Sequence, residues 1–202
     1  NYSDNTLFTS FRSDSVDNMS GFGYKTDNIG FSIGTGYEQY ENLIFRPEVD
    51  ISFENLQTDS KASSALKKQA GNYQDFYFNY TLDYDLRDKR YKPTDGYITT
   101  FSQQLPVVSN SYELTNTFTY AKYKTLVKKM VGKFSIYASS VTALSDDNTR
   151  ISKRVFMPPN KLRGFESGKV GPKDNKDFIG GNYVSAVNFS TTLPQLLPAW
   201  DA

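Results

Sequence analysis

Two pairs of carboxylates, Glu48 with Asp50 and Asp83 with Asp85, stand two residues apart in stretches where apolar and polar residues alternate. If those stretches are extended, each pair shares one face at a separation of about 7 Å, close enough for one carboxyl to act as acid and the other as base. Nothing in the chain completes such a site. It has no histidine and no cysteine, which excludes imidazole catalysis, thiol nucleophiles and the usual zinc sites. A charged, water-filled interior accounts for the same carboxylates without any chemistry, so the chain reads as no enzyme, with no metal and no cofactor. The other group able to act is a cation. Arg163 sits between Leu162 and Gly164 and is followed by Phe165, and a guanidinium so placed can offer its planar fork to a carboxylate or lie flat on a ring. Taken in isolation, an Arg-Gly-Phe tripeptide reads first as a solvated loop.

Arg163 lies within a segment of about 40 residues, Ala143–Asn182, that has no sustained apolar period. A connection of that length in a compact domain is either functional or disordered. Phe156, Met157, Leu162, Phe165, Val170, Phe178 and Ile179 are too many apolar anchors for a solvated tether. Gly164, Gly168, Gly171, Gly180 and Gly181 permit positive φ, and Pro158, Pro159 and Pro172 fix the chain between them. One packed conformation is expected.

The elements that must position this loop have a period of two. Ile29, Phe31 and Ile33 alternate with Gly30, Ser32 and Gly34; Val49, Ile51 and Phe53 alternate with Glu48, Asp50, Ser52 and Glu54. Phe76, Phe78, Tyr80, Leu82 and Tyr84 alternate with Tyr77, Asn79, Thr81, Asp83 and Asp85. Further runs at Tyr97–Leu105, Tyr112–Tyr123, Gly132–Val141 and Tyr183–Thr191, with a weaker one at Leu7–Arg12, bring the count to about eight strands. Several are as long as the 9–11 residues a tilted strand needs to cross a bilayer, beyond the usual mode of about 5–6. One face is apolar with Tyr or Phe near its ends, and the other is polar. With 15 Tyr, 15 Phe, net charge +1 and mean hydropathy −0.57, the composition offers no helical span and no field that would call for nucleic acid. The fold class expected is all-β, an antiparallel transmembrane β-barrel.

Connections sort into two lengths. Ser13–Gly23 and Leu56–Gln74 read as long and polar, Tyr37–Asn42 and the stretch near Leu126–Val131 as short. Long loops of such barrels face the outside and short turns the periplasm, which places 143–182 on the extracellular side. Within Leu56–Gln74, Ala62, Leu66 and Ala70 fit either a short surface helix or a mobile solvated loop, with no function attached. Pro93-Thr94-Asp95-Gly96 reads as a turn: Pro93 fixes φ, Asp95 can bond the local backbone and Gly96 can take positive φ. Asn1–Ser10 lacks the basic start and apolar run of a signal peptide, and both ends read as cut.

The order Leu162-Arg163-Gly164-Phe165, then Gly171-Pro172, then Gly180-Gly181-Asn182 before a strand resembles the signature loop of the bacterial outer-membrane assembly factors, the BamA family. Tyr91–Gly96 resembles that family's periplasmic turn. The resemblance covers nearly the whole chain. It implies that residues 1–202 form part of one barrel domain, about strands five to twelve of a sixteen-stranded barrel, with the POTRA domains and both barrel ends absent. It further implies a factor that folds and inserts β-barrel proteins into the bacterial outer membrane without nucleotide, an incoming strand pairing with an exposed edge. The partners implied are outer-membrane lipids, unfolded barrel clients and accessory assembly-complex lipoproteins reached through the POTRA domains, with no nucleic acid. Arg163 would anchor the loop in the barrel lumen against an acidic residue of the wall, although Ser190 stands where the family's twelfth strand often carries one. A two-partner secretion or TamA-like translocation barrel would also have an RGF loop. A passive porin would leave the ordered loop without a role.

Overall fold

The computed structural model describes residues 5–127, 130–145, 148–174 and 177–192. The opening residues 1–4, the centre of the connection after Val127, and 193–202 lie outside them. Alternation becomes eight antiparallel strands: β1 (Thr6–Asn18), β2 (Tyr24–Tyr40), β3 (Leu43–Thr58), β4 (Gly71–Asp85), β5 (Gly96–Ser109), β6 (Glu113–Val127), β7 (Met130–Ala143) and, after the long loop with its two-residue strands β8 (Lys173–Asp174) and β9 (Asp177–Phe178), β10 (Tyr183–Thr191). They form one sheet in the order β1-β2-β3-β4-β5-β6-β7-β10, so every neighbour in the sheet is also the next long strand in sequence.

Its faces are inverted relative to a soluble protein. Ile29, Phe31 and Ile33 are 53, 50 and 44% exposed on the outer side, whereas Asp50, Ser52 and Glu54 on the concave side are buried. No helix is long and apolar enough to cross a membrane; strands with an apolar exterior do so instead. At the end of the sheet with the short turns, the outward rings of Tyr84, Tyr97 and Tyr120 stack across three strands at centroid distances of 6.0 and 5.8 Å, an aromatic girdle of the kind found at a bilayer interface.

Hydropathy underestimates the strands. Ser13–Gly23 is not a long loop: β1 continues to Asn18, followed by the one-turn helix α1 (Met19–Phe22) and Gly23 at φ +72°. Ser13, Ser15, Asp17, Lys25 and Asp27 rise past the apolar band, where both faces meet water, so the periodic signal vanishes while the backbone ladder runs on to Asn18 opposite Tyr24. Ser15 donates to Asp27 (2.6 Å), and Lys25 pairs with it at 3.3 Å. Likewise β3 reaches Thr58 and β4 begins at Gly71. Between them α2 (Ser64–Lys67) is a single turn capped by the Ser63 hydroxyl, which accepts from the Leu66 amide. It is a short helical turn at the surface, with Ser64, Ala65, Lys67 and Ala70 exposed, but anchored: Ala62 and Leu66 are buried with Tyr24, Leu56 and Ile151 in the apolar core. That core sits at the long-connection end, where the loop covers the polar wall.

Candidate functional site

The loop closes over the concave wall around one deeply buried side chain. Arg150, in an extended stretch before a 3-10 turn (Ile151–Lys153), is 2% exposed. Its Nη2 donates to Asp75 Oδ2 of β4 at 2.6 Å and lies 3.9 Å from Glu113 Oε2 of β6. Its guanidinium lies 4.1 Å above the Tyr73 ring. The Arg150 amide donates to Glu113 Oε1 (2.9 Å), and the Ile151 amide to Gln69 Oε1 (2.7 Å). Both carboxylates are held from behind: Ser109 Oγ donates to Asp75 (2.6 Å), and Ser111 Oγ reaches both Glu113 oxygens at 2.9 Å. Burial alone would lower the arginine's pKa, but Glu54, Asp75 and Glu113 outweigh it and raise it above the ordinary value. Lys153 approaches the same Asp75 oxygen at 4.0 Å and lies over the Tyr77 ring; burial and then the Arg150 charge lower its pKa. Two acids buried on the wall, Asp75 and Glu113, are therefore balanced by two cations from the loop, Arg150 and Lys153.

Apolar contacts seat the rest of the loop. Phe22 of α1 packs edge-on against Phe156 at 5.5 Å and tilts against Phe178 at 6.4 Å. The two arms of the loop are tied by paired amide bonds between Val155 and Gly181, both 2.9 Å.

The motif residues fall in two groups. Asn182 accepts from the Val141 amide at 2.8 Å and so begins the pairing of β10 with β7, while Pro172 accepts from Ile179 and closes the β8–β9 hairpin. Gly164, Gly171 and Gly180 have positive φ (+85°, +132° and +65°); Gly181 does not. Leu162 is half-buried, whereas Arg163, Gly164 and Phe165 are exposed. Among the described residues Arg163 makes no hydrogen bond or ion pair with the wall. The nearest seat of the motif is one step earlier: Asn188, on the inner face of β10, donates to the Lys161 carbonyl at 3.0 Å, and Lys161 Nζ lies 5.4 Å from the Tyr137 ring. Ser190 is exposed.

At the opposite end, Asp88 organises the Pro93–Gly96 turn by accepting from the Thr94 amide (2.8 Å), the Thr94 hydroxyl and the Asp95 amide (3.1 Å). These bonds, the hydroxyl's first, lower its pKa to about 2. Asp95 accepts from Gly96 N–H and Lys124 Nζ, both 2.7 Å, and Gly96 has φ +89°.

Three of the four carboxylates paired on β3 and β4 meet cations, while Glu48 accepts from Asn79 Nδ2 at 3.4 Å. Asp50 pairs with Arg12 at 2.5 Å, Asp83 with Arg46, and Asp85 with Arg87 at 2.7 Å. No sequence motif marks Arg150, Asp75 or Glu113. The available signal was two acids at inward strand positions with no cation on the neighbouring strand, a burial that requires a partner from elsewhere.

Sequence relatives include the sorting and assembly machinery component 50 homologs of Bos taurus (24% identity over 138 residues) and Homo sapiens (22% over 138 residues), each alignment covering 66% of the chain. The chain spans 29% of the length of these curated relatives. In fold it is similar to a crystallised BamA from Haemophilus ducreyi lacking POTRA domains 1–3, with TM-score 0.80, 16% identity, and coverage of 98% of this chain and 46% of that one. Eight sequential antiparallel strands with an apolar outside and a polar inside thus constitute part of a transmembrane barrel, and with residues 2–197 matching the Omp85 superfamily domain, the chain belongs to the Omp85 superfamily.

Proposed function

We propose that the chain is the central part of a barrel that folds and inserts β-barrel proteins into the bacterial outer membrane. The observation that carries this reading is the loop latched into the concave wall by Arg150, Asp75 and Glu113. A passive pore gains nothing from a lumen closed by a buried ion pair, whereas an insertase has to keep its interior sealed while its edge engages clients. The names of its relatives, components of a sorting and assembly machinery, support the same class. The end carrying 143–182 is extracellular on this reading, and the Pro93–Gly96 turn is periplasmic. Arg163 anchors the loop further along, to an acid on wall strands beyond β10. Clients are unfolded barrel proteins, and accessory lipoproteins bind through POTRA domains. On this reading the chain serves assembly of other proteins and is no enzyme.

The test is depletion of the full-length protein in its own cell, followed by quantifying folded outer-membrane barrels. Loss of many unrelated barrels, with precursors accumulating, is expected. Loss of one secreted partner alone would move the function to two-partner secretion or TamA-like translocation.

A further inference from the structure

Around Phe31, Ile33, Val49, Ile51 and Phe78 the outward face of β2–β4 is apolar. Across β4–β6 it is interrupted by a hydrogen-bonded polar row. Tyr80, Gln103 and Asn116 face outward in register with one another. The Tyr80 hydroxyl donates to Gln103 Oε1 (2.9 Å), and Gln103 Nε2 donates to Asn116 Oδ1 (2.5 Å). Ser140 of β7 continues the row.

The row lies deep in the lipid-facing band. Asn116 is four residues from the girdle residue Tyr120 and four from Tyr112, which is 40% exposed just before β6. That is about 13 Å along the strand in each direction. At such depth there is no water to satisfy an amide. Among the described residues Asn116 Nδ2 has no acceptor, and its Oδ1, used once, retains a second lone pair. Beside it runs a groove of about 340 Å³, with a floor of Ala138, Ser140 and Ser185 between the rings of Phe118 and Tyr183, the latter 74% exposed.

We propose that this row is the contact between two copies of the chain lying side by side in the bilayer. Lipid tails carry no acceptor, and their ester oxygens sit at the interface rather than at the middle. A second copy inserts in the same orientation at the same depth. A two-fold axis along the membrane normal therefore brings Asn116 to Asn116, where each Nδ2 donates to the free lone pair of the other's Oδ1. The small-residue floor of each groove accepts an aromatic ring of the other copy, and the pairing closes as a dimer because the contact is self-complementary.

The test uses the full-length protein, free of other cysteines, in phosphatidylcholine vesicles at high lipid excess. Ser140→Cys on the row and Ile33→Cys on the apolar face are treated in parallel with a bifunctional thiol reagent spanning about 10 Å, the separation that a two-fold axis through Asn116 gives to strands next to the axis, with barrel folding read from heat-modifiable migration. A cross-linked dimer is expected from Ser140→Cys and not from Ile33→Cys. Added to Ser140→Cys, Asn116→Leu weakens the dimer about five- to tenfold, as the loss of two intramembrane hydrogen bonds predicts, while Asn116→Gln retains it. Monomer at every lipid dilution, equal cross-linking from both cysteines, or a dimer indifferent to Asn116→Leu would overturn the proposal. Cross-linking of Ser140→Cys in native membranes exclusively to a different polypeptide would overturn it as well.

Discussion

Arg150 of the loop and Asp75 of β4, separated by 75 positions in the chain, stand 2.6 Å apart with side chains 1% and 0% exposed. Neither could be buried alone, because an isolated charge in a water-poor interior is unstable. The pair ties the loop to the middle of the wall, and Glu113 extends the tie to β6.

Arg150→Met leaves Asp75 and Glu113 buried without their cation, and breaking one side of such a pair costs about 3–5 kcal/mol. The cost falls on loop docking, because β4 and β6 keep their backbone ladders. Amide exchange across 148–174 should accelerate in the refolded full-length barrel while the strands stay protected. Adding Asp75→Asn should restore part of the loss. A loop as protected as in the parent protein would refute the latch.

The glycines of the loop separate by their surroundings. Gly164 has φ +85° with open space around it, so Gly164→Ala costs only backbone strain, about 1–2 kcal/mol. Gly168 has φ +75°, and an added Cβ would lie 2.4 Å from the Phe22 ring. Gly168→Ala should therefore loosen the loop more than Gly164→Ala, and Gly180→Ala, which meets Phe156 at 2.9 Å, more than Gly181→Ala. Limited proteolysis of the four variants ranks them, and the reverse order would contradict the packing.

Asp88 gives the Pro93–Gly96 turn a pH dependence. Its folded carboxyl is held at about 2, below the ordinary 3.8, so its contribution is complete above 3.8 and disappears as pH falls through about 2. Carboxyl resonances of the refolded barrel should show Asp88 still ionised at pH 3.8. A midpoint at 3.8 would mean the turn's hydrogen bonds do not form.

The inverted faces are tested by placing charge on each. Phe31→Arg puts a cation in the lipid-facing band and should cost up to about 2–4 kcal/mol, the value at mid-bilayer. Gln104→Lys, on the water-facing side, should stay within about 0.5 kcal/mol. Reversible unfolding in vesicles measures both. Equal penalties would show that the faces are not lipid and water.

All eight long strands were legible from period-two alternation, because in a membrane barrel each strand carries its environment in its own residues. Ile29–Ile33 and Phe76–Tyr84 declare a lipid side whatever their neighbours are. Local chemistry likewise announced the Pro93–Gly96 turn and an ordered loop. The extensions of β1 and β2 past the bilayer were not legible, since Ser13–Asn18 has water on both sides and only pairing with Tyr24–Ile29 makes it a strand. The seat of the loop was not legible either. The Arg163 motif gave the loop its family likeness, yet the cation buried most deeply against the described wall is Arg150, chosen by two carboxylates contributed by β4 and β6. Sequence alone determined which residues face lipid, because that is a property of each strand. Tertiary structure decided which charges meet, because a buried ion pair is selected by desolvation and distance between segments far apart in the chain.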